Sequence, residues 1–268
     1  MLPELPELPE HPLPGDFLWL NHAMPFVRDD GVSRSLHFTL GELQSRLRLD
    51  DPYALEVDYT RTLMGFLLLN PAPAHIGMIG LGGGSVARFC HRFLPASRMT
   101  VLEINPHVIA LRNDFQVPPD DERFRVITAD GAMHLRTESP RYDVLLVDGF
   151  DADGQPPALC SQQFYGDCQA ALTEGGVLAV NLHYDHADYP LLCERIRRSF
   201  GGNAVEAVTL EKSNSIVLAS NASGRPISPQ TLSLAGALAG LDVQARAILR
   251  PELARMLWQM KHLDPDGS

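Results

Sequence analysis

The stretch IGLGGGSVARF, residues 79–89, follows an apolar run and crowds Gly80, Gly82, Gly83 and Gly84 ahead of Ser85. Glycine lets the chain turn sharply and lets a ligand lie against backbone amides, although this spacing matches a dinucleotide fingerprint only loosely. Glu103, in TVLEINP, stands about 20 residues on, where a carboxylate at the end of a second strand reaches a ribose diol and accepts from both hydroxyls. Asp130 and Gly131, in VITADGAMHL, come at the end of a third strand. There a side-chain oxygen can accept from an adenine amino group while nearby amides meet the ring nitrogens. A fourth run, YDVLLVDGFDADG, ends in Asp148, Asp151 and Asp153. Carboxylates crowded beside a nucleoside pocket repel one another unless a cation separates them, so an amine is their natural counter-ion. A turn-forming acidic loop is the plainer reading of the same residues.

These side chains need a sheet to hold them. Apolar runs bounded by turns occur at 75–80, 99–104, 124–129, 142–147 and 176–182, with helix-length segments between most of them. Strands alternating with helices imply a parallel, Rossmann-like α/β sheet covered on both faces, with ligands at the carboxyl ends of its strands. Two further runs, 204–210 and 215–219, suit a closing antiparallel pair. The expected organisation is a Pro/Glu-rich tail over 1–16, a β-hairpin unit and helix over 17–72, a nucleoside-binding domain over 73–222 and a helical segment over 223–268. In the second of these, Arg28-Asp29-Asp30-Gly31 supplies the hairpin turn and a helix is expected from Asp50-Asp51-Pro52 to about Leu69. Pro251 is expected to break the C-terminal helices.

Composition narrows the classes. A net charge of -11 argues against nucleic acid as a partner and is compatible with a cationic substrate. No apolar run approaches the roughly 20 residues that cross a bilayer, and the acidic, proline-punctuated start MLPELPELPE is unlike a secretory leader, so a cytoplasmic location is expected. Cys90, Cys160, Cys168 and Cys193 show no paired spacing and read as reduced packing residues. The loop His183-Tyr184-Asp185-His186 reads as polar rather than as a metal set, and no metal is expected; Tyr184 and Asp185 are candidates for lining an acceptor pocket.

The blocks IGLGGGS, VLEINP, TADG, YDVLLVDGFD, QQFYGDCQAAL and LTEGGVLAVNL, in this order, resemble the spermidine synthase family of aminopropyltransferases over about residues 17–220. The resemblance implies a seven-stranded methyltransferase-type core, a homodimer, and transfer of an aminopropyl arm from decarboxylated S-adenosylmethionine to an amine such as putrescine. By the same resemblance Glu103 holds the ribose, Asp130 the adenine, Asp148 the reacting amine as catalytic carboxylate, Asp151 the rest of the acceptor, and Tyr59 part of its pocket. Two positions depart from the family. Its GGGDGG becomes GGGSVA, with Ser85 where an aspartate grips the ammonium of the arm, and Arg61 stands near the place of a glutamate. Serine neither attracts that ammonium nor repels the carboxylate of ordinary S-adenosylmethionine. Two alternatives therefore stay open: methyl transfer from S-adenosylmethionine to a small amine, and a non-catalytic nucleoside-binding protein of the same fold.

Overall fold

A computed structural model describes residues 22–40, 43–139, 141–150 and 154–262. The tail expected over 1–16 lies outside them, as do Asp151 and Asp153. The described chain opens with three short antiparallel strands, β1 (Phe26–Asp29), β2 (Ser33–His37) and β3 (Ser45–Arg48). The expected hairpin is present, its turn closed by the carboxylates of Asp29 and Asp30 on the amides of Gly31, Val32 and Ser33. A third strand adds to it.

The helix expected from Asp50 is much shorter. Helix α1 spans Asp58–Leu63 and runs into a 3-10 turn, Met64–Leu68. The cause is visible at Pro52, whose carbonyl accepts from Nε of Arg88 at 3.0 Å and so is spent on a tertiary contact instead of a helical one. Asp58 then anchors the true start: its carboxylate takes the Glu211 amide at 3.0 Å and Arg61 at 3.1 Å.

The central sheet has seven strands in the order β6-β5-β4-β7-β8-β10-β9. They are β4 (His75–Ile79), β5 (Arg98–Glu103), β6 (Phe124–Thr128), β7 (Tyr142–Val147), β8 (Leu172–His183), β9 (Ala204–Val208) and β10 (Asn214–Ser220). The first five run parallel, and β10 is antiparallel to both β8 and β9. This is the expected closing pair. Helices α2 (Ser85–Phe93), α3 (Pro106–Ala110), α4 (Gly131–Glu138), α5 (Gln162–Ala170) and α6 (Tyr189–Ser199) connect the strands. Their buried side chains divide between two apolar clusters, one containing Ile76, Met78 and Phe89 and the other Leu145, Leu178 and Phe164. Strands apolar on both faces are what such burial requires.

The C-terminal helices are α7 (Leu234–Leu238) and α8 (Val243–His262). Pro251 does not break α8, which continues through it. Core contacts made by Leu249, Leu253 and Met256, all buried completely, hold the helix across the proline. No helix among the described residues is long and apolar enough to cross a membrane.

The sheet reverses its strand order between β4 and β7, and the backbones there are pressed together. Gly80, at φ +94°, leaves β4 so close to β7 that an added Cβ would lie 2.2 Å from the Asp148 carbonyl oxygen. Gly80→Ala should therefore lower stability by about 3 kcal/mol, as measured by urea denaturation, because neither backbone can retreat without breaking sheet hydrogen bonds. A loss below about 1 kcal/mol would show that this seam yields more easily than its geometry indicates.

Candidate active site

A cavity of about 230 Å³ opens at this reversal. Open α/β sheets hold their ligands at such a crevice, beyond the carboxyl ends of the strands. One wall is the glycine loop with Glu103, Asp130 and Gly131; the opposite wall comes from β2, the loop before β3 and α1, through Leu36, Phe38, Gln44, Ser45 and Tyr59. Asp148 and Phe150 close one end.

Of the loop glycines, Gly80, Gly82 and Gly83 line the cavity with Ser85, whereas Gly84 faces away and packs against Val117. Gly83 is needed for the fit between the two walls, since a Cβ there would sit 2.6 Å from Oγ of Ser45. Ser85 starts α2 and is buried, with its hydroxyl accepting from Arg88 Nη2 at 3.3 Å.

Glu103 is buried at the end of β5, where its carboxylate accepts from the backbone amides of Leu81 and Asn105, both at 2.8 Å, and from those of Gly82 and Ile104. Burial raises its pKa and the four amides oppose that rise. Glu103 thus shapes the glycine loop as well as facing the cavity. Asn105, beside it, caps α3 through the His107 amide and holds the carbonyl of Ala23 at 2.8 Å, bringing the start of the described chain over the pocket.

Asp130 is the N-cap of α4: its Oδ1 accepts from the amides of Ala132 and Met133. The second carboxylate oxygen remains for a ligand. Gly131 follows with its Cα against Ile79, where a side chain would not fit.

Asp148 ends β7 and is held on two sides. Asn181 donates to its Oδ1 at 2.8 Å, and the Tyr59 hydroxyl donates as well. Asn181 is itself fixed by Asn214, which donates to its Oδ1 at 2.9 Å from the neighbouring strand β10. Burial pushes the Asp148 carboxyl up to about 6, while the two donors hold it down. Burial also raises Tyr59, helped by the adjacent Asp148 charge. Phe150, next along, stacks on His183 at 4.5 Å between ring centres.

The site thus gathers Glu103, Asp130, Gly131, Asp148, Tyr59 and the loop residues around one space. Tyr184 and Asp185 stand apart, exposed on the loop after β8 and not among the described residues lining the cavity. Arg61 is turned away, tied to Asp58 and to the carbonyls of Leu55 and Glu56, so its charge does not enter the pocket. Gln44 and Ser45 fall in no quoted motif, and Asn105 and Asn181 lie within VLEINP and LTEGGVLAVNL without being singled out there, although an asparagine within the apolar run of β8 is itself a signal. Among the described residues no group of histidines, cysteines and acids is placed to hold a metal ion.

A parallel sheet closed by an antiparallel strand pair, with an acid-edged cavity at its reversal point, defines a methyltransferase-type fold. The sequence matches the spermine/spermidine synthase domain over residues 56–198. It is 40% identical over 195 residues to a polyamine aminopropyltransferase of Neisseria meningitidis serogroup B, covering 72% of this chain and 74% of that one. A polyamine aminopropyltransferase of Chromobacterium violaceum is 40% identical over 200 residues, covering 74% and 77%. Among solved structures, a spermidine synthase in complex with the transition state analogue AdoDATO aligns with a TM-score of 0.63 at 20% identity, covering 89% of this chain and 85% of that one. Human methyltransferase-like protein 13 in complex with SAH aligns at 0.56 and 22% identity, covering 78% and 96%. These two share the fold. The chain belongs to the spermine/spermidine synthase family and is a transferase.

Two outcomes follow from this geometry. Glu103→Ala should weaken methylthioadenosine binding by about 1.5 to 3 kcal/mol in calorimetry, and should also destabilise the empty protein by about 1 to 3 kcal/mol because four amides lose their acceptor. Unchanged affinity would remove Glu103 from the nucleoside site. The second concerns Asp148, whose carboxyl value is 3.8 when solvated and about 6 in the fold, so the folded state holds that proton longer. Its burial costs the fold nothing below about pH 4 and roughly 2 to 3 kcal/mol above about pH 6. Asp148→Asn should therefore stabilise the protein at pH 7.5 and lose that gain near pH 4, as read from denaturation midpoints at the two pH values. A gain that is the same at both would mean that the carboxylate is well solvated.

Proposed function

We propose that this chain transfers an aminopropyl group from decarboxylated S-adenosylmethionine to a small cationic amine such as putrescine. The observation that carries the reading is the carboxylate of Asp148, oriented by Asn181 and Tyr59 at the end of a cavity whose other end has the ribose-reaching Glu103. Glu103 and Asp130 take the adenosine, and Asp148 takes the reacting amine. Asp151, outside the described residues, is assigned to the rest of the acceptor. A non-catalytic nucleoside binder has no use for a buried carboxylate that costs stability beside its ligand.

The reaction is an in-line displacement at the arm carbon bonded to the sulfonium. The amine nitrogen supplies an electron pair to that carbon, the carbon–sulfur bond breaks toward sulfur, and neutral methylthioadenosine leaves. Positioning is the main demand, because charge disperses in the transition state. An amine with a solution pKa near 10 must first lose its proton, and ionised Asp148 both orients it and draws the proton released on attack. The chain is expected to work in the cytoplasm as a homodimer. The exposed apolar side chains of Met24, Val32 and Leu40, beside the three-stranded sheet, support a covered surface there.

The pH dependence tests the role of Asp148. Ionisation of the free amine gives log kcat/KM a slope of one up to about pH 10. Protonation of Asp148 should add a second unit of slope below about pH 6, the value to which burial raises it. Tyr59→Phe removes a donor to the anion and should move that break to higher pH. Asp148→Asn should abolish the break and cut kcat by about a hundredfold or more, with methylthioadenosine still bound. A break that persists in Asp148→Asn would take the role from this residue.

A further inference from the structure

The corner of the cavity at Ser85 is backed by a positive charge that has no counter-ion among the described residues. Arg88, one turn along α2, is 1% exposed. Its Nε donates to the Pro52 carbonyl at 3.0 Å, and its Nη1 to the carbonyls of Gly83 and Phe115. Its Nη2 donates at 3.3 Å to Oγ of Ser85, which lines the cavity. Carbonyl oxygens satisfy a guanidinium's hydrogens and leave its charge in place. No described carboxylate forms an ion pair with Arg88. Burial lowers its pKa only to about 10, so it stays cationic at neutral pH.

The described carboxylates that line the cavity are committed elsewhere. Glu103 is held by loop amides, Asp130 caps α4, and Asp148 is gripped by Asn181 and Tyr59. None bonds Ser85 or Ser45, whose hydroxyls lie 3.4 Å apart where the two walls meet. A buried charge that no described carboxylate offsets acts through a low-dielectric wall with little screening, so this corner disfavours a cation and favours an anion.

We propose that the Ser85 corner, backed by Arg88, accepts the carboxylate of ordinary S-adenosylmethionine, giving this chain a further activity: transfer of a 3-amino-3-carboxypropyl group to its amine acceptor. The inference rests on the nucleoside-donor reading above. The step balances as before. The amine nitrogen bonds to the arm carbon next to sulfur, the carbon–sulfur bond breaks with its pair going to sulfur, methylthioadenosine leaves, and the amine gives up one proton. The arm arrives with its carboxyl group still attached.

The test is calorimetry of the full chain with methylthioadenosine, S-adenosylmethionine and its decarboxylated form, followed by mass spectrometry of putrescine incubated with each donor. S-adenosylmethionine should bind within tenfold of the decarboxylated donor and yield a product that carries the extra carboxyl group. Ser85→Asp should shift the ratio of the two dissociation constants at least tenfold toward the decarboxylated donor, with methylthioadenosine still bound as the sign of a folded pocket. The proposal is overturned if wild type binds the decarboxylated donor more than tenfold tighter, or if the carboxylated product is absent. A methylated product overturns it as well, since the attacked carbon is then a different one. Failure of methylthioadenosine to bind would overturn the donor reading itself. Its binding, with aminopropyl product formed from the decarboxylated donor alone, overturns only the further activity.

Discussion

The carboxylate of Glu103 is the tie on which the site depends. It is 7% exposed and receives the amides of Leu81, Gly82, Ile104 and Asn105, which belong to the turns after two adjacent parallel strands. Turns at strand ends have amides with no partner in the sheet, and a buried amide left unpaired is costly. One carboxyl side chain answers for both turns. The same side chain that fixes the loop lines the cavity, so the geometry presented to a ligand is set before any ligand arrives.

The sheet and the cavity wall built on the glycine loop were legible in the sequence, and the wall from the small sheet was less so. Buried parallel strands show as apolar runs, and the glycine loop, Glu103 and Asp130 fall at strand ends that those runs define. Strand β3, by contrast, reads SRLR, with only Ser45 and Leu47 buried, and such a short, half-charged segment carries almost no pattern. The start of α1 was misplaced because Asp50-Asp51-Pro52 has the local chemistry of a helix start, while the deciding contact comes from Arg88, far along the chain. At Pro251 the local rule also lost, this time to apolar packing on either side. Asn181 and Asn214 become a pair only when β8 and β10 are laid side by side.

Around Asp148 function and stability pull in opposite directions. A carboxylate buried enough to rise to about 6 is a burden on the folded protein, and Asn181 and Tyr59 reduce that burden without removing it. What remains keeps the group close to the pH at which it can exchange a proton. Asn214 lies one residue further from the cavity. Its contact with Asn181 fixes which end of that amide faces Asp148, because the Asn181 oxygen is already occupied by an N–H donor.

The cavity has walls that are distant in the chain, and this bears on how the molecule assembles. Leu36, Phe38, Gln44 and Ser45 come from the small three-stranded sheet and its loops, while the opposite wall comes from the turns of the central sheet. Polar contacts join them, among them Arg34 on the carbonyl of Asp114 at 2.5 Å and Asn105 on that of Ala23, and Leu36 and Leu47 share an apolar cluster with Ile76 and Met78 of the central sheet. Without the small sheet in place the cavity is only half a surface. A ligand that touches both halves binds the docked state and not the undocked one, so mass action makes it an adhesive between them. Occupancy of the cavity and firm attachment of the small sheet are therefore expected to rise together.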